Sequence, residues 1–221
     1  MELTFGVSGK LIMNALVMYD RQTETLWSQF LGQAVEGQLA GESLEFVASQ
    51  LVLWSVWKAE HPDTLVLDTK GGVFDQYSGY YTGPYSGVIG QSNNDDRLAG
   101  KELVVGLVGE EGERAYAHSD LSEVHVLNDN FEGRDIVVAQ DRTRGTTGVF
   151  DRALDGRLLT FDEGPGQPEM TDEETGTVWS KLTGIAASGP LAGRKLTPVL
   201  YFNTFWFAWT DFYPETELFE P

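Results

Sequence analysis

Two histidines and a nearby aspartate form the most suggestive set of metal ligands in the sequence. His118 and His125 flank a short polar stretch, and Asp129 follows soon after. Imidazole nitrogens and carboxylate oxygens are common ligands of divalent cations. If the strands predicted at 114–117 and 124–127 pair with each other, the three side chains converge near the turn between them. The sequence therefore suggests a divalent-cation site at His118, His125 and Asp129, with ordinary turn and surface residues as the alternative.

Two other patterns contain residues that could carry out chemistry, and each also has a purely structural explanation. Ser55 and Lys58 have the Ser-x-x-Lys spacing of a serine nucleophile with a lysine base, but the companion motifs of such enzymes are missing. A surface helix explains the pair equally well. The oxygen-rich loop at 93–96 could hold calcium, although it lacks the spacing of an EF-hand, and a solvated acidic loop is the alternative.

Composition and charge exclude several classes of function. The 221 residues include 34 acidic and 15 basic side chains, which gives a formal charge of −19, so a nucleic-acid partner is not expected. The sequence has no cysteine, which excludes disulfides, thiolate metal sites and cysteine nucleophiles within it. No stretch approaches the roughly 20 apolar residues that span a bilayer. The acidity fits a solvated surface, adaptation to high salt or a cation-binding surface.

An internal repeat organises the chain. Residues 20–67 align without a gap on residues 172–219, with 17 identities in 48 positions. The identities include three pairs of tryptophans, which are Trp27/Trp179, Trp54/Trp206 and Trp57/Trp209. The last two pairs could stack on a carbohydrate, but their recurrence in both copies favours a role as core anchors.

The two copies are not equally long within these residues. Residues 3–5 correspond to residues 159–161, and the second copy has a further run of predicted strands at 101–158. One and a half units leave sheet edges without a partner, which predicts a homodimer or strand exchange. The predicted division is the second half of a first unit (1–69), a Gly- and Tyr-rich connection (70–100) and a complete second unit (101–221).

Short alternating or β-branched runs, separated by glycine and aspartate turns, dominate the sequence. The Asp155-Gly156 pair between two such runs predicts a hairpin turn. Two short helices are predicted at 49–61 and 204–213, each ended by a proline. The predicted fold is therefore mainly β, a duplicated antiparallel β unit of one and a half repeats with two short helices.

Five stretches form a recognisable set: LTFGVSGK (3–10), GQLAGESL (37–44), HPDTLVL (61–67), GERAYAH (112–118) and VLNDNFEGR (126–134). In this order they resemble a bacterial and archaeal family, the domain-of-unknown-function family 3179. The resemblance covers nearly the whole chain. It implies no established activity, so it indicates an architecture and leaves the function open.

The resemblance also carries two expectations that this sequence does not match. Members of the family typically have a Cys-Pro-Leu-Cys-Gly motif before the strand that leads into LTFGVSG, and the corresponding place in the second unit, 137–142, has no cysteine. If that cysteine pair is a metal or redox site, these residues lack it. Secretion or lipoprotein signals are frequent in the family, which implies an extracytoplasmic setting, but residues 1–5 do not read as a signal peptide.

The leading interpretation is a non-catalytic binding or structural module in an extracytoplasmic setting, whose acidic surface meets ions, a protein or a small-molecule ligand. The alternative is a metal-dependent or redox enzyme, with its site between the repeat units or in the segment that carries the family's cysteines. Enzymatic activity is left open. A divalent cation is the only cofactor that the residues suggest.

Overall fold

The computed structural model describes residues 2–68 and 78–221, and strands outnumber helices there by seventeen to four. This confirms the predicted mainly β fold. The strands are β1 (Phe5–Ile12), β2 (Ala15–Asp20), β3 (Leu26–Ser28), β4 (Gln33–Glu36), β5 (Leu103–Val108), β6 (Glu113–Ala117), β7 (Val126–Phe131), β8 (Arg134–Asp141), β9 (Thr146–Asp151), β10 (Ala153–Leu154), β11 (Arg157–Leu158), β12 (Phe161–Glu163), β13 (Glu169–Asp172), β14 (Val178–Ser180), β15 (Ala186–Ser188), β16 (Phe202–Phe205) and β17 (Glu217–Leu218). The helices are α1 (Trp54–Glu60), α2 (Ser78–Thr82), α3 (His118–Val124) and α4 (Trp206–Phe212). None of these helices is long and apolar enough to cross a membrane.

The chain forms two compact units, each assembled from separate stretches of sequence. Among the described residues, unit 1 comprises 2–47, 80–101 and 205–214, and unit 2 comprises 48–68, 78–79, 102–204 and 215–221. Helix α4 therefore belongs to unit 1, although it is late in the sequence, and α1 belongs to unit 2. The repeat-based division at 1–69, 70–100 and 101–221 stays a prediction, and part of its connection lies outside the described residues.

Unit 1 is built on one antiparallel sheet with the strand order β1-β2-β3-β4. Met13 and Asn14 join the first two strands with φ values of 48° and 65°, the left-handed pair that a tight type I′ hairpin requires. The side-chain oxygen of Asn14 accepts hydrogen bonds from the backbone N–H groups of Val88 and Ile89 at 2.8 and 3.0 Å. The hairpin turn thereby holds a distant loop of the same unit.

Unit 2 contains three larger sheets and a small hairpin. One antiparallel sheet has the order β12-β13-β14-β15 and another the order β7-β8-β9. The third has the order β16-β5-β6-β17, and β17 runs parallel to β6. Strands β10 and β11 form the hairpin, which turns at Asp155 and Gly156 with φ values of 51° and 76°. The predicted Asp-Gly turn is confirmed.

Strand β8 is buried on both faces and separates two hydrophobic clusters of unit 2. Because successive side chains of a strand point to opposite faces, Ile136 and Val138 join one cluster, and Val137 and Ala139 join the other. All four side chains are fully buried. This central strand ends in polar residues, Gln140 and Asp141, that stay buried.

The sheets β1–β4 and β12–β15 share their strand order and their main buried hydrogen bond. The indole Nε1 of Trp27 donates to Asp20 at 3.0 Å, and that of Trp179 donates to Asp172 at 2.8 Å. All four residues are almost completely buried. These are equivalent positions at the 152-residue offset, and the duplication itself stays an interpretation of the sequence.

The structure changes three details of the sequence-based picture. Helices α1 and α4 lie inside the ranges predicted for them, but α2 and α3 were not predicted. The assumed pairing of the strands at 114–117 and 124–127 is wrong, because β6 pairs with β5 and β17, whereas β7 pairs with β8. Helix α3 carries the chain from one sheet to another at the place where a simple turn was expected.

The tryptophans of the two repeat helices differ in burial. Trp206 and Trp209 of α4 are fully buried, as expected for core anchors. Trp54 and Trp57 of α1 are 51% and 39% exposed, so the prediction of a core role is wrong for this pair. The sequence identity of the two pairs therefore does not extend to their surroundings.

Candidate functional site

The three residues predicted to bind a cation lie close together in sequence but have different partners. His118 is the first residue of α3, His125 follows its last residue, and Asp129 lies on β7. In residues 2–68 and 78–221, no group of three or more histidine, cysteine, aspartate or glutamate side chains is arranged to hold a metal ion. A cation site at these three residues therefore stays a prediction.

His118 belongs to a largely buried polar network. Its Nε2 lies 3.0 Å from the side-chain oxygen of Asn203, and its Nδ1 lies 3.2 Å from the side-chain nitrogen of Gln140. These partners require a proton on Nε2 and a free lone pair on Nδ1, which is one neutral tautomer. Burial lowers the pKa of His118, against the smaller opposing effects of Asn203 and Glu102. The imidazole is thus held neutral and in a fixed orientation.

His125 is fixed by a carboxylate and a guanidinium. Its Nδ1 contacts the carboxylate of Glu163, and its Nε2 accepts a hydrogen bond from Arg142 at 3.3 Å. The backbone of His125 has a φ of 62°, and its carbonyl accepts from the Gln140 N–H at 2.8 Å. This histidine ends α3 and attaches it to β8.

A buried lysine, which directly follows β14, contacts the end of β8. Lys181 is 2% exposed, and its Nζ donates to the Gln140 carbonyl at 3.2 Å. Burial lowers the pKa of this amine, against the opposing charges of Glu163 and Asp141. Two atoms nearby in β8 and β9, Asp141 Oδ2 and Thr147 Oγ1, are buried without a hydrogen-bond partner among the described residues. This end of the hairpin is therefore unusually polar for its burial.

Asp129 holds two side chains of β6 in place. One of its carboxylate oxygens accepts from Arg114 at 3.0 Å and from the Tyr116 hydroxyl at 2.7 Å. Burial raises the pKa of Tyr116, and the charge of Asp129 raises it further. Arg114 also donates to Glu217 of β17 at 2.8 and 2.9 Å. Asp129 is thus a positioning residue for Arg114.

The turn between β7 and β8 is locked to the turn between β5 and β6. Glu132 has a φ of 50° and Gly133 a φ of 79°, and the Glu132 carboxylate accepts from the backbone N–H groups of Glu110, Glu111 and Gly112 at 2.8 to 2.9 Å. Burial alone would raise the pKa of Glu132, but these three donors lower it. Glu132 therefore remains an anion whose oxygens are already used.

A largely apolar cleft of about 490 Å³ is lined by residues of both turns, Glu110 and Glu132 among them. We call it the apolar cleft, and its hydrophobic lining consists of Leu107, Val108, Phe131, Ile136, Val199 and Leu200. Ile136 forms a fully buried part of the lining, whereas Val108 and Leu200 are 43% and 37% exposed. Arg134 lies at the same cleft and donates to Asp151 at 3.2 Å.

A second cleft, of about 300 Å³, is lined by other residues of the same two turns together with Phe131 and Glu132. We call it the acidic cleft, and its charged lining consists of Glu111, Glu113, Arg114, Glu132, Glu215 and Glu217. Five carboxylates thus face one guanidinium, which Asp129 and Glu217 already neutralise. Phe131 and Glu132 line both clefts. The two clefts are therefore adjacent, with Phe131 and Glu132 between them.

Comparison with known protein families assigns the chain. The model of the family described as Protein of unknown function (DUF3179) matches residues 1–216. The chain belongs to this family. Searches of curated proteins and of solved structures gave no match. The DUF3179 family model covers nearly the full sequence, which confirms the resemblance inferred from the five sequence stretches.

Sequence reasoning did not single out the two clefts of this DUF3179 protein. Phe131 and Glu132 lie in the family-like stretch at 126–134, yet only Asp129 of that stretch was selected. The sequence did contain one signal of a turn, because Glu132-Gly133 lies between two β-like runs. Lys181 was also missed, although it stands where the first copy has Gln29. The alignment shows a lysine opposite Gln29, and the structure shows that this lysine is buried.

Proposed function

We propose that this protein is a non-catalytic binding module whose ligand is a basic peptide segment with at least one apolar side chain. The observation that carries the proposal is the adjoining pair of clefts, one apolar and one acidic, that share Phe131 and Glu132. A ligand that spans both would place an apolar group in one cleft and a cationic group in the other.

The apolar cleft has the size and lining of a small binding site. Its volume of about 490 Å³ is within the range of roughly 300 to 1,000 Å³ that holds small ligands. Phe131 and Leu200 give it a hydrophobic wall at the surface. Burying a leucine-sized side chain there contributes about 1.5 to 3 kcal/mol before the entropic costs of association.

Charge favours a cationic partner in the acidic cleft. The whole chain carries a formal charge of −19, so its long-range field attracts cations and repels anions. Glu113 and Glu215 have no guanidinium assigned to them among the contacts of the described residues. A lysine or arginine of the ligand can therefore pair with these carboxylates without displacing an internal ion pair.

The walls of both clefts are held in place before any ligand binds. Glu132 ties the two turns together through three backbone hydrogen bonds, and Asp129 fixes Arg114 and Tyr116. Pre-ordered walls lower the entropic cost of binding. This rigidity fits recognition better than a reaction that needs moving groups.

Titration calorimetry with two synthetic peptides tests the proposal. A peptide of alternating leucine and lysine should bind with saturation, and the matched leucine–glutamate peptide should not bind. The double variant Glu113→Gln/Glu215→Gln should weaken binding about tenfold, because each lost pair near the surface contributes up to about 1 kcal/mol. The variant Glu36→Gln/Glu173→Gln removes two exposed carboxylates elsewhere and serves as the control. If both variants weakened peptide binding equally, net charge would explain the effect, and the proposed binding site would be wrong.

A cation site at His118, His125 and Asp129 is kept as a second proposal, of a metal-dependent protein. The tautomer of His118 supports it, because its Nδ1 presents a lone pair that a cation would take in place of the Gln140 amide. Elemental analysis of the purified protein tests it. Stoichiometric metal that is lost in His118→Ala supports this function, and no metal in either protein contradicts it.

A further inference from the structure

The strand that follows α4 has a counterpart after α1 in the repeat alignment. Residues 217–219 align with residues 65–67 at the offset of 152. In β17, Glu217 and Leu218 pair in parallel with Arg114 and Ala115 of β6. The N–H of Phe219 continues the ladder to the Ala115 carbonyl at 2.9 Å. The second copy therefore ends as an edge strand on the β5–β6 sheet.

The first copy ends with an apolar stretch in solvent. Leu65, Val66 and Leu67 are 94%, 68% and 86% exposed, and they belong to no strand among the described residues. We call residues 51–67 the exposed segment, and its other exposed apolar side chains are Leu51, Leu53, Trp54 and Trp57. Several large apolar side chains exposed within one segment are typical of an interaction site.

We propose that residues 65–67 add as a parallel edge strand to a partner sheet of the β5–β6 kind. The partner is a polypeptide that carries a half-unit similar to residues 101–158. This inference goes beyond the proposed peptide site and does not depend on it. The support comes from the second copy, where β6, which lies within 101–158 and pairs with β5, also pairs with the equivalent residues. Strand addition supplies backbone hydrogen bonds and covers alternate side chains.

A second copy of this chain does not satisfy the same pairing. Each chain has one β6, and its two edges are taken by β5 and β17. Exchange of β17 between two copies would conserve the number of occupied edges and leave both 65–67 stretches uncovered. A homodimer, which the sequence predicts, would therefore need a different contact to cover this segment.

The partner strand has a recognisable chemistry. Glu217 of β17 forms an ion pair with Arg114 across the parallel register, but the equivalent residue of the exposed segment is Leu65. An arginine of the partner opposite Leu65 would have no carboxylate to pair with. We therefore expect an uncharged, apolar residue opposite Leu65 in place of the arginine.

A tethered half-unit tests the proposal on the full chain. A copy of residues 101–158, with leucine at the position of Arg114, is joined to the N-terminus of residues 1–221 by a flexible linker, which raises its local concentration. Hydrogen exchange at 65–67 should slow by about tenfold or more. The same fusion with Leu65→Asp/Leu67→Asp is the control and should not show this slowing.

Several outcomes overturn the proposal. One is protection of the added half-unit's own amides while 65–67 exchange as fast as in the untethered chain. Another is that light scattering finds a dimer of the untethered chain and hydrogen exchange at 65–67 is slow in that dimer, which would assign the segment to a second copy.

A third measurement uses a variant of the chain and needs no added half-unit. The variant Leu218→Val/Phe219→Leu gives β17 the last two residues of 65–67 and keeps the ion pair of Glu217 with Arg114, and exchange at 218–219 should stay within about threefold of the parent. Loss of that protection would show that this sequence cannot act as the edge strand.

Discussion

Helices α1 and α4 have the same local geometry and opposite surroundings. Each has seven residues, and the residues before them have φ and ψ of −64° and 140° and of −74° and 146°. After their last residues, His61 and Tyr213 donate to Trp57 and Trp209, in both cases at 2.8 Å. The tryptophans of α4 are nevertheless fully buried, whereas those of α1 are half exposed.

The comparison separates what short-range sequence determines from what neighbours determine. The Trp-x-x-Trp spacing and the following proline suffice for a two-turn helix that begins and ends alike in both places. In unit 1, Phe30 stacks on Phe212 of α4 at a centroid distance of 4.2 Å. The first copy has Glu60 at the position of Phe212. The equivalent helix thus carries a charge where α4 carries a packing residue.

The largest effect should come from the tryptophan that differs most in burial. Trp206→Ala removes a fully buried indole and should lower the free energy of unfolding by about 3 to 5 kcal/mol. Trp54→Ala removes a half-exposed indole and should cost less than about 1 kcal/mol. Urea unfolding of both variants measures the difference. Equal losses would show that the exposed segment is covered in solution.

A second pair of variants tests whether the sheets β1–β4 and β12–β15 are equivalent. Gly37 and Gly189 have φ values of 114° and 102°. A Cβ at either one would lie 2.8 Å from the Cα of Thr25 or Thr177, respectively. Both Gly37→Ala and Gly189→Ala should therefore lower the free energy of unfolding by about 2 to 3 kcal/mol, because strain and a backbone clash combine.

Nearby glycines supply the control for that pair. Gly41 and Gly193 also have positive φ, but nothing lies within 4 Å of an added Cβ. Alanine there should cost about 1 kcal/mol from strain alone. If Gly41→Ala matched Gly37→Ala in thermal unfolding, the contact with Thr25 would not be what requires glycine.

The buried aspartate of the first sheet should give a pH dependence. Burial tends to raise the pKa of Asp20, but its bonds from Trp27 and Thr23 outweigh this and lower the pKa below 3.8. A carboxyl with a lower pKa in the folded state stabilises the protein above pH 3.8, and this contribution is lost as the pH falls through the folded pKa. Asp20→Asn should therefore flatten the decline of unfolding free energy between about pH 4 and 2. An unchanged slope would contradict the assignment.

The smallest effect is expected at the aligned positions Gln29 and Lys181, which differ in charge. Gln29 is exposed, so Gln29→Lys should change stability by less than about 0.5 kcal/mol. Its new amine should react with an acylating reagent as fast as Lys58, which is also exposed. Lys181 should react far more slowly because it is 2% exposed. Mass spectrometry after brief labelling compares the three amines, and rapid labelling of Lys181 would contradict its burial.

Sequence patterns predicted the elements that depend on nearby residues. The alternating strands, the Asp155-Gly156 turn and the ranges of α1 and α4 all follow from local spacing. Helix α3 was missed because His118–Val124 is short and polar and has one buried side chain, Leu121. Its formation depends on the sheets that it connects, and a local pattern does not contain that information.

The candidate site was less predictable because long-range pairing creates it. Asp129 was selected as a metal ligand, but β7 places it beside Arg114 and Tyr116 of another sheet. The Glu132 carboxylate meets backbone groups about 20 residues away, and backbone donors leave no signature in side-chain types. The clefts appear once these turns are brought together, and that requires the sheet order.

Helix α1 comes early in the sequence but belongs to unit 2, and α4 comes late but belongs to unit 1. This arrangement affects how the protein can be divided into fragments. Each unit draws on an early and a late part of the chain. Any single cut between residues 102 and 204 would separate α4 from the sheet of its own unit, and a cut near residue 102 would also separate α1 from most of unit 2. Neither half can then be produced alone as an intact domain, and limited proteolysis in this range should release fragments that stay associated until they are denatured.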